Sequence, residues 1–404
     1  KTGIAMLKKL LLATTSLLLT VILVEVAFRA IGYRPMYDVY SKPEAFWKSD
    51  ALLGWRLEPG SEGTFVGPRP FPVLFRTPIR INSEGLRGPE LAPLPDGGRR
   101  VLFLGDSQTA GFEVPEGQTF AAQVGTMLNE RLDAPVQAIN GGVRGYGTDQ
   151  ALLLFRERLR KLEPDVVVYD KVLNDAEDNT TLHRPKRPFG KAAFVLDGQG
   201  NLKLEATPVP EYPFCSSVRL NSDFRVTRDD GVKTRLMCRL ETNLSDRFAS
   251  FSFVATRLRQ HPDLVRRLWN TGQPGQPSAG ALSTDLELAA VEPSVPPADP
   301  GVPAGTPRDR QDFAQRLTSA LILELAGEVQ ASGAEFVMVV SDPDLAQLDV
   351  PAFQAAGIQI LRTDPVLGAD QSAYRIPNDG HLNKEGHAKV AGLIAPAVET
   401  LLNR

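Results

Sequence analysis

The feature that most constrains this chain is an alternation of short, continuously apolar runs with segments spaced like helices. Residues 101–104, 136–139 and 166–169 are apolar runs, and 118–132 and 150–162 between them repeat apolar side chains at three- and four-residue steps. Strands without a polar face, separated by amphipathic helices, predict a parallel sheet covered on both sides. The alternation stops near Asp178 and resumes at Asp312, with a helical stretch at 313–331 and apolar runs at 335–340 and 358–361. Residues 384–402 close the chain as an amphipathic helix. An α/β body split by one long insertion is the expected organisation.

At 404 residues the chain is longer than a single core usually supports, so appendages or a second domain are expected. Hydrophobic residues make up 42% and charged residues 23%, as in globular proteins at large. A net charge of -3 gives no basic field to compete for phosphates, which argues against nucleic acid as a partner. The exception to this ordinary composition is residues 10–28, an apolar run interrupted only by hydroxyl residues and Glu25, with Lys8 and Lys9 in front. Its length matches the roughly 20 residues of a bilayer span, and the leading lysines place the rest of the chain on the outer side. Residues 25–30 carry Glu, Phe and Arg where a cleavage site needs small residues, so an anchor is expected rather than a cleaved signal peptide. The chain has 2 cysteines, Cys215 and Cys238, and in an oxidising compartment they are expected to pair.

The intervening regions read differently. Residues 33–98 are rich in Pro, Gly and aromatics, with short strand-like stretches at 64–66, 73–75 and 79–81. Inside the insertion, 244–269 has helical spacing and 270–308 is dominated by Pro, Gly, Ala and Ser, which predicts a flexible loop.

Ligands of open parallel sheets bind beyond the carboxyl ends of the strands, and four such places carry chemistry. Gly105-Asp106-Ser107 follows the first run and leads into a helix, where a serine hydroxyl is exposed and its N–H faces a bound anion. A capping turn alone would use the same residue types. Asn140-Gly141-Gly142-Val143-Arg144-Gly145-Tyr146-Gly147 follows the second run, and its glycines let the backbone approach a ligand closely. Neither a Walker pattern nor G-x-G-x-x-G spacing is present there, so nucleotide binding is not expected. Asn174-Asp175 follows the third run and offers a side-chain amide donor. Asn378-Asp379-Gly380-His381 precedes the last helix and holds one of the chain's 4 histidines, with His387 close by. A hydroxyl nucleophile needs a base that titrates near neutrality, and a neighbouring carboxylate fixes the imidazole's tautomer. There is no H-E-x-x-H, cysteine cluster or calcium-loop spacing, and neither a metal nor another cofactor is expected.

In this order the four blocks closely resemble the SGNH (GDSL-like) hydrolase family over residues 98–180 and 312–404. Gly54-Trp55 and Asn82-Ser83-Glu84-Gly85-Leu86-Arg87-Gly88 are similar to the lead-in of its membrane-anchored bacterial branch. The resemblance implies a flavodoxin-like three-layer α/β/α sandwich with about five parallel strands. It implies Ser107 as nucleophile, Asp379 and His381 as the rest of a catalytic triad, and an oxyanion hole made by Ser107, Gly145 and Asn174. His387 is then structural. Two departures from the family pattern stand out: Asp379 and His381 are separated by Gly380 alone, with Asn378 at the more usual aspartate position, and Asp170 and Lys171 bring charges where apolar residues are usual. An ion pair at the mouth of the site is the expectation for that last pair.

The expected layout is therefore an anchor at 1–32, a lead-in at 33–98, the hydrolase domain at 99–180 and 311–404, and an insertion at 181–310 bordering the site. The expected function is a periplasmic serine esterase acting on acetyl or acyl esters of envelope glycans or lipids. The alternatives are an O-acyltransferase with the same triad, and a non-catalytic accessory subunit joined to a partner in a membrane complex. The basic piece His183-Arg184-Pro185-Lys186-Arg187-Pro188 reads as a solvated loop.

Overall fold

The computed structural model describes residues 2–33, 46–67, 73–184, 189–197, 199–221, 225–229, 231–260, 307–340, 345, 348–368, 370–377 and 379–404. The loop expected at 270–308 lies outside these residues except at its end, where Pro307 opens a helix. Residues 185–188 and Asn378 also lie outside them. The chain divides into two compact units, one of Lys1–Val39, Arg69–Val73 and Leu240–Pro303, the other of Tyr40–Pro68, Leu74–Arg239 and Ala304–Arg404.

In the first unit, α1 (Thr2–Ala30) carries an apolar stretch, Met6–Ala30, long enough to cross a membrane. The second unit begins with two antiparallel hairpins, β1 (Trp47–Asp50) with β2 (Gly54–Leu57), and β3 (Glu62–Gly67) with β4 (Phe75–Arg80). Their aromatic side chains Phe46, Trp47 and Phe65 meet Phe112 at ring separations of 5.7, 5.7 and 5.5 Å. The lead-in thus packs on the loop that follows the first central strand.

That strand is β5 (Arg99–Gly105), followed by the short helix α2 (Ser107–Ala110), α3 (Phe120–Arg131), β6 (Val136–Asn140), α4 (Thr148–Leu154) and β7 (Val166–Lys171). The helix expected over 150–162 is α4 continued by a wider turn at Phe155–Leu159 and a tighter one at Arg160–Leu162. After β7 come α5 (Asp175–Thr180) and the small antiparallel pieces β8 (Thr181–His183), β9 (Ala193–Leu196), β10 (Leu202–Glu205), β11 (Ser217–Leu220) and β12 (Val226–Asp229). Cys215 and Cys238 are joined as a disulfide. The helical stretch expected at 244–269 is two helices meeting at Phe248, α6 (Val232–Arg247) and α7 (Ala249–Gln260), and 261–269 lie outside the described residues. The body resumes with α8 (Pro307–Ala331), β13 (Glu335–Val340), α9 (Val350–Ala355), β14 (Gln359–Arg362), α10 (Asp364–Leu367) and α11 (Lys384–Leu402).

The central sheet has five parallel strands in the order β14-β13-β7-β5-β6, which in sequence is the flavodoxin-like arrangement 2-1-3-4-5. Its strands are apolar on both faces because both are covered. Val101, Phe103, Val168 and Val339 pack with Val124 and Leu128 of α3 and Ile394 and Val398 of α11. Leu102, Leu104, Val167 and Met338 pack on the other side with Leu152 of α4 and Leu317, Leu321 and Leu325 of α8. Each such fully buried side chain contributes about 1.5–3 kcal/mol relative to exposure. This three-layer sandwich, with the four sequence blocks at the carboxyl ends of its strands, is what the resemblance to SGNH hydrolases implies.

Candidate active site

Ser107 is the first residue of α2, immediately beyond β5. The turn that carries it is narrow: Gly105 has φ +154°, and a Cβ there would run into the Thr109 hydroxyl and lie 3.1 Å from the Asp170 carbonyl. Asp106 caps α2 by accepting a hydrogen bond from the Gln108 N–H at 2.8 Å, and its other oxygen accepts one from the Ser107 hydroxyl at 3.2 Å. The strand end, a glycine with no side chain and a capping aspartate together present the serine outward.

His381 reaches Ser107 from the far end of the chain. Its Nε2 lies 2.8 Å from Ser107 Oγ, and its Nδ1 is hydrogen-bonded to Asp379. With Nδ1–H donated to the carboxylate, Nε2 accepts the serine proton when the hydroxyl turns from Asp106 to the nearer imidazole. The one-residue spacing of Asp379 and His381 works because Gly380 adopts φ +87°, which folds the carboxylate back to the imidazole two positions on. Gln108 ties this loop to the turn that carries Ser107: its amide donates to the Gly380 carbonyl at 3.3 Å and its carbonyl accepts from the Leu382 N–H at 3.1 Å.

A second carboxylate, not singled out by the sequence reading, faces the same ring. Glu113 Oε1 is 3.6 Å from His381 Nδ1 and 2.5 Å from Arg144 Nη1, and the side chain is 1% exposed. Burial alone would push the His381 imidazole down; the Glu113 charge, helped by Asp379, outweighs it and holds the group above its ordinary range. Burial likewise opposes ionisation of Asp379, but the hydrogen bond and charge of His381, with Arg144, bring it below the usual carboxylate range. Glu113, Asp379 and His381 also have ligand atoms within 4.8 Å of one another, the spacing of a metal cluster. The Arg144 guanidinium already supplies the countercharge on Glu113, so this cluster suits an imidazolium better than a divalent ion. The signal that could have found Glu113 is its place six residues after Ser107, in the loop that closes α2, but nothing local in sequence marks a carboxylate as facing a distant histidine.

The lead-in sets these groups. Arg87 is buried and donates to the carbonyls of Ala110 at 2.5 Å and Val114 at 2.6 Å, fixing the loop that carries Glu113. Burial lowers its own ionisation to about 10, so it stays charged at neutral pH. Trp55 donates to the Arg144 carbonyl at 3.3 Å, and its own carbonyl accepts from the Tyr146 hydroxyl at 2.5 Å. Gly145 is thereby held between two anchored neighbours at φ +81°. It lines a pocket with Trp47, Trp55, Leu182, Phe189 and Arg184.

Asn174 stands beside Ser107 through a shared partner: its amide donates to Asp106 at 3.1 Å and to Asp178 at 2.7 Å. Asp170 and Lys171 do not lie at the mouth of the site, as their charges had led one to expect. They end β7 and are buried, with Thr109 donating to Asp170 at 3.2 Å. A charged pair at a strand end can be covered when the turns around it supply polar partners. His387 accepts from the Phe120 N–H at 3.2 Å, and burial, with Arg87 and His381 nearby, lowers it to about 3, so it is neutral and structural.

No family model matches this chain, and no curated protein matches it in sequence. Among solved structures it is similar to a GDSL-like lipase from Bacteroides thetaiotaomicron at 13% identity, with 77% of this chain and 92% of that one covered and a TM-score of 0.33. It is similar to a catalytic mutant of an acetylxylan esterase from Geobacillus stearothermophilus at 11% identity, covering 74% and 94%, with a TM-score of 0.33. An alpha/beta hydrolase from the metagenome of Lake Arreo, Spain, is 12% identical over 76% and 98%, with a TM-score of 0.35.

Proposed function

We propose that the chain is a serine hydrolase acting on ester bonds, anchored by α1 with its α/β body outside the cytoplasm. The observation that carries the chemistry is the 2.8 Å approach of His381 Nε2 to Ser107 Oγ, with a carboxylate on the other ring nitrogen. Ser107 attacks the ester carbonyl while His381 takes its proton, and Asp379 and Glu113 stabilise the imidazolium that forms. The negative oxygen of the tetrahedral intermediate is received by the N–H groups of Ser107 and Gly145, and by the Asn174 amide once it leaves one of its two carboxylate partners. Collapse of the intermediate breaks the ester C–O bond, and His381 returns the proton to the departing alcohol. The acyl-serine is then cleared by water, or by a sugar hydroxyl in an acyl transfer. The pocket beside Gly145, walled by tryptophan and phenylalanine, supports acetyl or short acyl esters of envelope glycans or lipids as substrates. The leading Lys8 and Lys9 and the Cys215–Cys238 bridge support the outer location.

A fluorophosphonate probe tests the nucleophile. The folded protein should label at Ser107, and Ser107→Ala should not. Absence of label on a folded wild-type chain, together with no ester turnover, would remove the proposal.

A further inference from the structure

Glu25 is the one charged residue of the run 10–28, five residues before the membrane-length segment Met6–Ala30 ends. On an α-helix that is roughly 7–8 Å inward along the axis, still at the depth where hydrocarbon gives way to headgroups. A carboxylate taken out of water there needs hydrogen-bond partners to offset its desolvation. Glu25 is buried and fully engaged. It accepts hydrogen bonds from the Ala249 N–H at 2.9 Å, the Ser250 N–H at 3.0 Å, the Ser250 hydroxyl at 2.7 Å and Arg29 Nε at 2.7 Å.

Ala249 and Ser250 open α7, so Glu25 satisfies the first N–H groups of that helix as a capping side chain would, from 224 residues earlier in the chain. The adjoining contacts have the same geometry of docking. Arg29 donates to the Arg247 carbonyl at 3.0 Å, the last residue of α6. Phe28 meets Phe253 of α7 at 5.1 Å, and Tyr33 closes the trio at 5.3 Å from Phe28 and 5.2 Å from Phe253. A leader that is cut away has no reason to carry a buried acid that caps a helix of the mature chain.

We infer that α1 is retained in the mature protein and that its outer end is the docking surface for α7, with Glu25 as the polar latch and Phe28 and Tyr33 as the apolar contact. The start of α7 is thereby held at the outer end of the chain's own anchor. This inference stands independently of the chemistry assigned to Ser107.

The full chain, extracted from membranes in detergent, tests it in two ways. Mass spectrometry should recover peptides from before Arg29 in the mature protein, and a chain that begins after Ala30 would overturn the inference. Hydrogen exchange should show residues 249–253 protected, with exchange at least tenfold faster in Glu25→Leu while residues 99–105 remain as slow as in the wild type. Unchanged exchange at 249–253 in that variant would sink the latch. If Glu25→Leu does not fold, a Phe28→Cys, Phe253→Cys chain treated with a short bis-maleimide decides the matter: cross-linking supports the docking, and its absence in the folded chain overturns it.

Discussion

Glu113 is the side chain at which the proposed site departs most from a simple triad. Its buried charge raises His381, so the imidazole of the wild type should lose its proton above the ordinary value of about 6.5. Because only the neutral imidazole accepts the serine proton, kcat/KM should rise with pH through that raised value. Glu113→Gln removes the negative charge and leaves Arg144 facing the ring, both of which lower His381. The acidic limb of the kcat/KM profile should therefore move to lower pH, and the plateau should fall on the order of tenfold, about 1.4 kcal/mol of transition-state stabilisation. A purely structural glutamate would leave the limb where it was. Ser107, His381 and Asp379 were proposed from the sequence because serine, imidazole and carboxylate beyond strand ends have a chemical logic of their own and follow the order of the family they resemble, and the structure brings them within hydrogen-bonding reach. Glu113 could not, since its proximity to His381 depends on the path of a loop fixed by Arg87 and Phe112.

Among the elements, α3 and α11 are joined by more than their apolar faces. His387, in the first turns of α11, receives the N–H that opens α3, and it must be neutral to do so. A histidine lowered to about 3 in the fold takes up its proton in the unfolded chain first, so its contribution is complete above about 6.5 and is lost as pH falls towards 3. Within that window the wild type should lose about 1.4 kcal/mol per pH unit more than His387→Asn, whose side-chain oxygen can accept the same N–H. Chemical denaturation at pH 7, 6 and 5 measures the difference, and parallel curves would refute it. The strands and the longer helices of the body were legible because burial on both faces and on one face leave different periods in the sequence. The break between α6 and α7 at Phe248 was not, because it follows from Glu25 capping the second helix, a contact with no local trace.

In the whole molecule, the insertion and the lead-in are stabilised differently from the sheet. The Cys215–Cys238 bridge ties two positions 23 apart in sequence, across a stretch whose described elements are β11, β12 and the first turns of α6. Replacing both cysteines by serine should lower stability by about 3 kcal/mol, read as a shift in Tm, while the fluorophosphonate reaction at Ser107 persists at permissive temperature. By itself the sequence determined the parallel sheet, the helices that cover it and the apolar first helix, because periodicity and hydropathy are local properties. Only the tertiary structure decided that Asp170 and Lys171 are buried, that Glu113 shares the histidine, and that Glu25 caps α7. Each of these depends on a charged group meeting its partners from a distant segment, and the energy of such a meeting is set by burial and distance, which no single segment encodes.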